Sequence, residues 1–253
     1  MFWLLLACKQ PEAAPRDLDT LSHDLWSHYT AEDDEALLAD AIDLKGLIDE
    51  AALPIDGTFT DLTEAEAGDA GAPGLDPAPA VGLFTAGFID CTPDEMERIL
   101  FSQAQMELYP GNYTAYERSY TADLDAYEAR QTNRLTWGAN YSVEIPLTGS
   151  YTSEILGGVH FVPDGEDGPY LFSTTVMPAP ATTDPDTIVF DVDLQMEVFY
   201  PQEGGVVHLF GMWRHIDLPN GFGTDSDVGV TLIVGGLHDW DDATTKICDE
   251  GRI

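Results

Sequence analysis

The sequence predicts a mainly β chain, an antiparallel meander of about eight strands forming a sandwich or a barrel, with a short helical region ahead of it. Three observations carry this. From residue 134 onward apolar residues recur at every second position, as in Leu135, Trp137, Ala139, Tyr141, Val143 and Ile145. Short Gly-, Pro- and Asp-containing segments of hairpin type separate the runs, at 201–205 and 219–227. A spacing of three and four is confined to the N-terminal part, in Leu37, Leu38, Ala41, Leu44, Leu47, Ile48 and Ala51.

In chain order, residues 31–52 read as a helix. Thr30 is its cap, Glu32, Asp33 and Asp34 suit its positive end, and Pro54 stops it. Residues 55–62 read as a short strand. Residues 64–79, rich in Ala, Gly, Asp, Glu and Pro, read as a linker and set a boundary before a β domain spanning 80–253. Residues 80–90 form a Gly-punctuated strand. Thr92, Pro93 and Glu95 make a capping box with a proline start, which opens a short helix with Met96, Ile99 and Leu100 inward. The period is two from residue 105: strands at 106–109 and 113–122 flank Pro110-Gly111-Asn112, and others follow at 134–145, 147–161, 170–177, 187–200, 206–216 and 228–237. On the longest, Ile188, Phe190, Val192, Leu194, Met196, Val198 and Tyr200 share a face. One apolar and one polar face per strand predicts a sheet covered on one side only.

The chain has 253 residues, 44% of them hydrophobic, enough for one large β domain with a helical region. Ten Lys and Arg stand against 46 Asp and Glu, a formal net charge of −36. Such a field repels phosphate backbones and excludes nucleic acid as a partner. It reads as a solvated surface suited to salty surroundings, where screening shortens self-repulsion to about 8 Å or less.

Candidate chemistry is sparse. His238, Asp239, Asp241 and Asp242, at a predicted strand end, are the candidate metal ligands, with Ca²⁺ the ion that oxygen donors favour. Asp164-Gly165-Glu166-Asp167-Gly168 and Asp225-Ser226-Asp227 suit turns and lack the spacing of a Ca²⁺ loop. Asp191, Asp193 and Glu197 share the polar face of the long strand. Read plainly, they are its solvent face. Read as chemistry, they are a hydrolase's carboxylates, with Phe199, Trp213 and Tyr116 to stack on a sugar. His208 and His215 fall on opposite faces, and Arg118, between Tyr116 and Tyr120, reads as stacking on aromatics rather than binding an anion. Gly-x-Ser-x-Gly and zinc-type Cys/His spacings are absent from the sequence, and no catalytic set is assigned.

Met1-Phe2-Trp3-Leu4-Leu5-Leu6-Ala7-Cys8-Lys9 resembles the end of a bacterial lipoprotein signal peptide. The resemblance implies cleavage before Cys8, diacylglycerol on its thiol, a membrane partner held through that lipid, and residence in the bacterial cell envelope. A start upstream of Met1 is expected on the same grounds, because no basic segment precedes the apolar run 2–7. Residues 1–8 are then the signal segment, 9–30 a tether, and 31–79 the helical region with its linker. Of the three cysteines, Cys91 and Cys248 remain. In an oxidising compartment they form a disulfide; the alternative is two buried thiols. The expected function is a non-catalytic binding or scaffolding role. One rival is an apolar-ligand carrier, its hollow interior lined by Trp137, Tyr141, Phe190, Met196 and Phe210. The other is the carboxylate hydrolase, with or without Ca²⁺.

Overall fold

The computed structural model describes residues 17–145, 149–163, 165, 167–185, 188–217, 223–224 and 226–253. Cys8, the tether residues up to 16, and Asp164, Glu166 and Asp225 lie outside them. Helix α1 runs Leu18–Ala31, where a tether was expected. Asp17 caps it by accepting a hydrogen bond from the Thr20 amide at 2.8 Å, and Glu32 ends it in the left-handed region at φ 58°. Leu21, Ser22, Leu25 and Trp26 are all buried, and the spacings of three and four among them place them on one stripe of the helix. Helix α2, Asp34–Asp49, starts from the cap Asp33 rather than Thr30 and buries Leu37, Ala41, Leu44 and Ile48.

Strand β1 (Ile55–Phe59) and the short helix α3 (Glu64–Asp69) come next. α3 opens on a Thr63/Glu66 capping box inside the stretch read as a linker. β2 (Val81–Ile89) leads to α4 (Pro93–Phe101), whose Thr92/Glu95 capping box is the one the sequence predicts. α5 (Gln105–Leu108) replaces an expected strand. Then come β3 (Ala115–Tyr120), α6 (Leu124–Glu128), β4 (Arg134–Ile145), β5 (Gly149–Val162), β6 (Tyr170–Val176), β7 (Ala181–Thr182), β8 (Val189–Gln202) and β9 (Gly205–Asp217). α7 (Asp227–Asp249) ends the set, where a strand over 228–237 was expected. Ser226 caps it, accepting from the Gly229 amide at 3.0 Å, and Leu237, Asp241, Thr244 and Ile247 are buried along one side. The β-branched run that suggested a strand is the first part of this longer amphipathic helix.

The strands form one antiparallel sheet in the order β1-β2-β9-β8-β6-β5-β4-β3, with β7 on β8. The sheet is a single open layer, neither a sandwich nor a closed barrel: β1 and β3 are its ends. β8 and β9 are joined by a tight hairpin, where Gln202 faces Gly205 and Gly204 supplies φ 89°.

Both faces are covered, not one. On the first, Val192, Leu194, Met196, Val198, Tyr200, Leu209 and Trp213 pack with α1 and α2. On the second, Leu135, Trp137, Ala139, Val159 and Phe199 pack with residues of α4, α5, α6 and α7. The helical hairpin and β1 share a core with β8 and β9, so position 79 does not divide the chain into separate units. A disulfide joins Cys91, next to the cap of α4, to Cys248 in the last turn of α7. Among the described residues, no helix is long and apolar enough to cross a membrane.

Candidate functional site

A cavity of about 620 Å³ lies on the second face, between the sheet and α7. The strand period of two builds its floor. β4 contributes Trp137, Tyr141 and Val143, β6 Ser173 and Thr175, β8 Asp193, Gln195 and Glu197, and β9 Phe210, Met212 and Arg214. Ile233, Gly236, Leu237 and Trp240 of α7 close it from above, and Ile99 and Leu100 of α4 with Tyr113 from the side. Aromatic rings make up one wall: Tyr113 meets Tyr141 edge-on with centroids 5.8 Å apart, and Tyr141 meets Tyr151 at 5.9 Å. Burial pushes the Tyr113 phenol up to about 12, so these hydroxyls stay neutral.

The polar face of β8 is therefore not a solvent face. Asp193 and Glu197 are only 8% and 6% exposed, and each is held by a cation. Arg214 Nη2 donates to Asp193 Oδ2 at 2.7 Å, and Gln195 Nε2 donates to Asp193 Oδ1 at 2.8 Å. Burial opposes the charge on Arg214, but the Asp193 carboxylate outweighs it and keeps the guanidinium above its ordinary value. Glu197 Oε2 lies 3.5 Å from His208 Nε2, and His208 Nδ1 is 2.8 Å from Asp241 Oδ1. His208 is wholly buried and stacks flat on Phe199 with centroids 4.2 Å apart. Desolvation pulls its pKa down, yet the two carboxylates win and raise it to about 9. A protonated imidazole between two carboxylates is a clamp from α7 to the sheet, and it cannot accept a proton at neutral pH. Gly87 of β2 makes room for the clamp: a Cβ there would sit 3.0 Å from Asp241 Oδ2.

Three of the five residues expected to line a hollow interior do so: Trp137, Tyr141 and Phe210. Met196 lies on the opposite face, packed with the α1–α2 core. Phe190 leaves the face of Val192 because a register shift falls between Phe190 and Val192, and it stacks on the cavity residue Tyr151 at 4.4 Å. The proposed sugar platform is broken up: Tyr116 lines the cavity, whereas Trp213 sits on the other face beside Trp26 and Phe59. Asp191 is paired with His215 at 2.9 Å, apart from Asp193 and Glu197.

The candidate metal ligands do not sit at a strand end. His238, Asp239, Asp241 and Asp242 are on α7, where Asp241 is committed to His208 and Asp239 and Asp242 are exposed. A helix turns successive side chains by about 100°, which separates neighbours in sequence. Among the described residues, no group of three His, Cys, Asp or Glu side chains converges on a metal position. The sequence reading missed the His208–Glu197–Asp241 clamp because its members lie on two strands and a helix read as a strand.

Arg118 on β3 is 9% exposed and lines the cavity. Its Nη1 donates to the Leu100 carbonyl at 2.6 Å, and its Nε and Nη2 donate to the Tyr116 hydroxyl at 3.0 and 2.7 Å. The guanidinium also lies 4.1 Å from the centroid of the Trp137 ring, the aromatic stacking its sequence context suggested.

No family model matches the chain, and no curated protein matches it. Among solved structures, it is similar to human StAR-related lipid transfer protein 5, with 10% identity, 90% of this chain and 100% of that one covered, and a TM-score of 0.44. A START superfamily protein from Mycobacterium smegmatis shares 12% identity over 67% of this chain and 97% of its own, with a TM-score of 0.43. The STAR-related lipid transfer protein from Xanthomonas axonopodis shares 12% over 69% and 88%, with a TM-score of 0.40. At these identities and scores, the likeness carries no argument about what this chain binds.

Proposed function

We propose that this chain binds one amphipathic small molecule in the cavity between the sheet and α7. The observation that carries the reading is the cavity itself: about 620 Å³, aromatic on one wall, with Asp193 paired to Arg214 and Glu197 sharing His208 with Asp241. Binding sites for small molecules are concave and combine apolar and aromatic walls with placed polar groups; this cavity sets Trp137, Tyr141, Phe210 and Met212 beside Ser173, Thr175 and Arg118. A protein that had no use for the space would gain by filling it, since cavities cost packing energy. The arrangement favours binding over hydrolysis, because Asp193 and Glu197 are both engaged as counter-ions.

Titration with the neutral dye Nile red tests the reading. Saturable one-to-one binding is expected. Thr175→Trp, which places a large ring into the cavity, should weaken it at least tenfold with the melting temperature kept within a few degrees. Absence of saturable binding, or binding indifferent to Thr175→Trp, overturns the proposal.

We propose also that the chain is anchored in the bacterial envelope by lipid on Cys8, on the strength of the sequence around that residue. Two or three acyl chains would hold a protein of this charge where electrostatics alone would not. Intact mass spectrometry of the protein from its native host should show a mature chain beginning at an acylated Cys8. An unmodified chain retaining Met1 overturns it.

A further inference from the structure

Arg118 is a buried cation without an ion-pair partner among the described residues. No Asp or Glu oxygen among them lies within ion-pair distance of its guanidinium, whereas Arg214, the less buried arginine of the same cavity, is paired with Asp193. The two carboxylates that line the same cavity are taken: Asp193 by Arg214, and Glu197 by His208. Both sit on β8, four strands along the sheet from β3.

A guanidinium has five N–H donors in a rigid planar fork. Three hydrogen bonds account for part of them: Nε and Nη2 to the Tyr116 hydroxyl, and Nη1 to the Leu100 carbonyl. One N–H on each terminal nitrogen has no partner among the described residues. A guanidinium with a free N–H on each terminal nitrogen can grip an oxyanion with two parallel hydrogen bonds. The stack on Trp137 and the bonds to Tyr116 and Leu100 fix the plane of the fork before any ligand arrives, so little entropy is lost on binding.

From this we infer that the ligand of the cavity is an amphipathic oxyanion, a long-chain carboxylate or phosphate, whose head is held bidentately by Arg118 and whose apolar part lies along the aromatic wall. The inference rests on the cavity being a binding site and adds the chemical class of what enters it. A plainer role exists: Arg118 could serve only to satisfy the Leu100 carbonyl near the end of α4. That role uses one of five donors and needs no charge, and it predicts no preference among ligands.

Three probes with the same chain decide between them: oleate, oleyl phosphate and the neutral oleyl alcohol, each displacing Nile red from the full-length protein. Oleate or oleyl phosphate should bind at least tenfold more tightly than oleyl alcohol, and the better of the two identifies carboxylate or phosphate as the head. Arg118→Gln should abolish the preference, bringing the affinities for the two anions down to that for oleyl alcohol. Arg118→Lys, which keeps the charge and loses the fork, should retain only part of it. If oleyl alcohol competes as well as either anion on the unaltered protein, the inference fails while the cavity reading stands. This comparison needs no variant to fold. If the dye binds and none of the three displaces it, the inference fails; if the dye itself does not bind, the inference falls with the cavity reading. An anion preference that survives in a folded Arg118→Gln would overturn the role of Arg118.

Discussion

His208 holds a charge inside the protein because Glu197 and Asp241 flank it. Its pKa rises from 6.5 to about 9 on folding, so the folded protein binds this proton more tightly than the unfolded chain. The sign follows. The contribution to stability is complete below about pH 6.5 and is lost as pH climbs through 9. Two and a half pKa units correspond to at most about 3–4 kcal/mol. Urea unfolding should therefore show stability falling between pH 6.5 and 9.5, and His208→Gln should remove most of that slope. The variant should also be less stable at pH 6.5 by about 3–5 kcal/mol, since it leaves buried carboxylates unpaired. A flat profile in the unaltered protein would show that the imidazole is not held protonated.

At the scale of elements, α7 decides whether there is a cavity at all. It covers the second face of the sheet and is fastened at three places along its length. Trp240 stacks on Tyr109 at 5.8 Å, Asp241 clamps His208, and Cys248 is bonded to Cys91. Thr244 adds a hydrogen bond with the Tyr109 hydroxyl at 2.9 Å. The disulfide closes a loop with a sequence separation of 157, for which chain-entropy arguments give about 5 kcal/mol as an upper bound. Cys248→Ser should cost about 2–5 kcal/mol in denaturant unfolding under oxidising conditions. The same loss should follow from reducing the unaltered protein. Stability insensitive to both would mean that the bridge does not form in solution.

For the whole molecule, a net charge of −36 on 253 residues dominates the electrostatics. The few cations described are largely spent on specific pairs: Lys45 with Asp49, Arg130 with Glu97, Arg134 with Asp34, and Arg214 with Asp193. The remaining carboxylates repel one another, and the compact state brings them closer than the unfolded chain does. Melting temperature should rise with NaCl from 10 mM to 1 M, and choline chloride should reproduce the rise because screening does not depend on the cation's identity. A melting temperature unchanged across that range would refute self-repulsion as the leading electrostatic term. A rise with Ca²⁺ alone would instead point to a specific site.

What the sequence determined by itself is local. Period-two alternation located β4, β6, β8 and β9, and Thr92, Pro93 and Glu95 located the start of α4, because strand faces and helix caps depend on residues a few positions apart. The N-terminal helix α1 was legible in the spacing of Leu18, Leu21, Leu25 and Tyr29, but polar neighbours and two prolines ahead of it suggested a tether. Only the tertiary structure decided the rest. It turned 228–237 from an apparent strand into the first part of α7, where Ile233 and Leu237 pack on Phe210 and Met212 of β9 and tertiary contact outweighs β propensity. It made the acidic face of β8 the floor of a cavity, because a second layer of helices covers what alternation alone assigned to water. It brought His208 to Asp241 across 33 residues and left Arg118 without a carboxylate partner among the described residues, relations that no spacing in the sequence encodes.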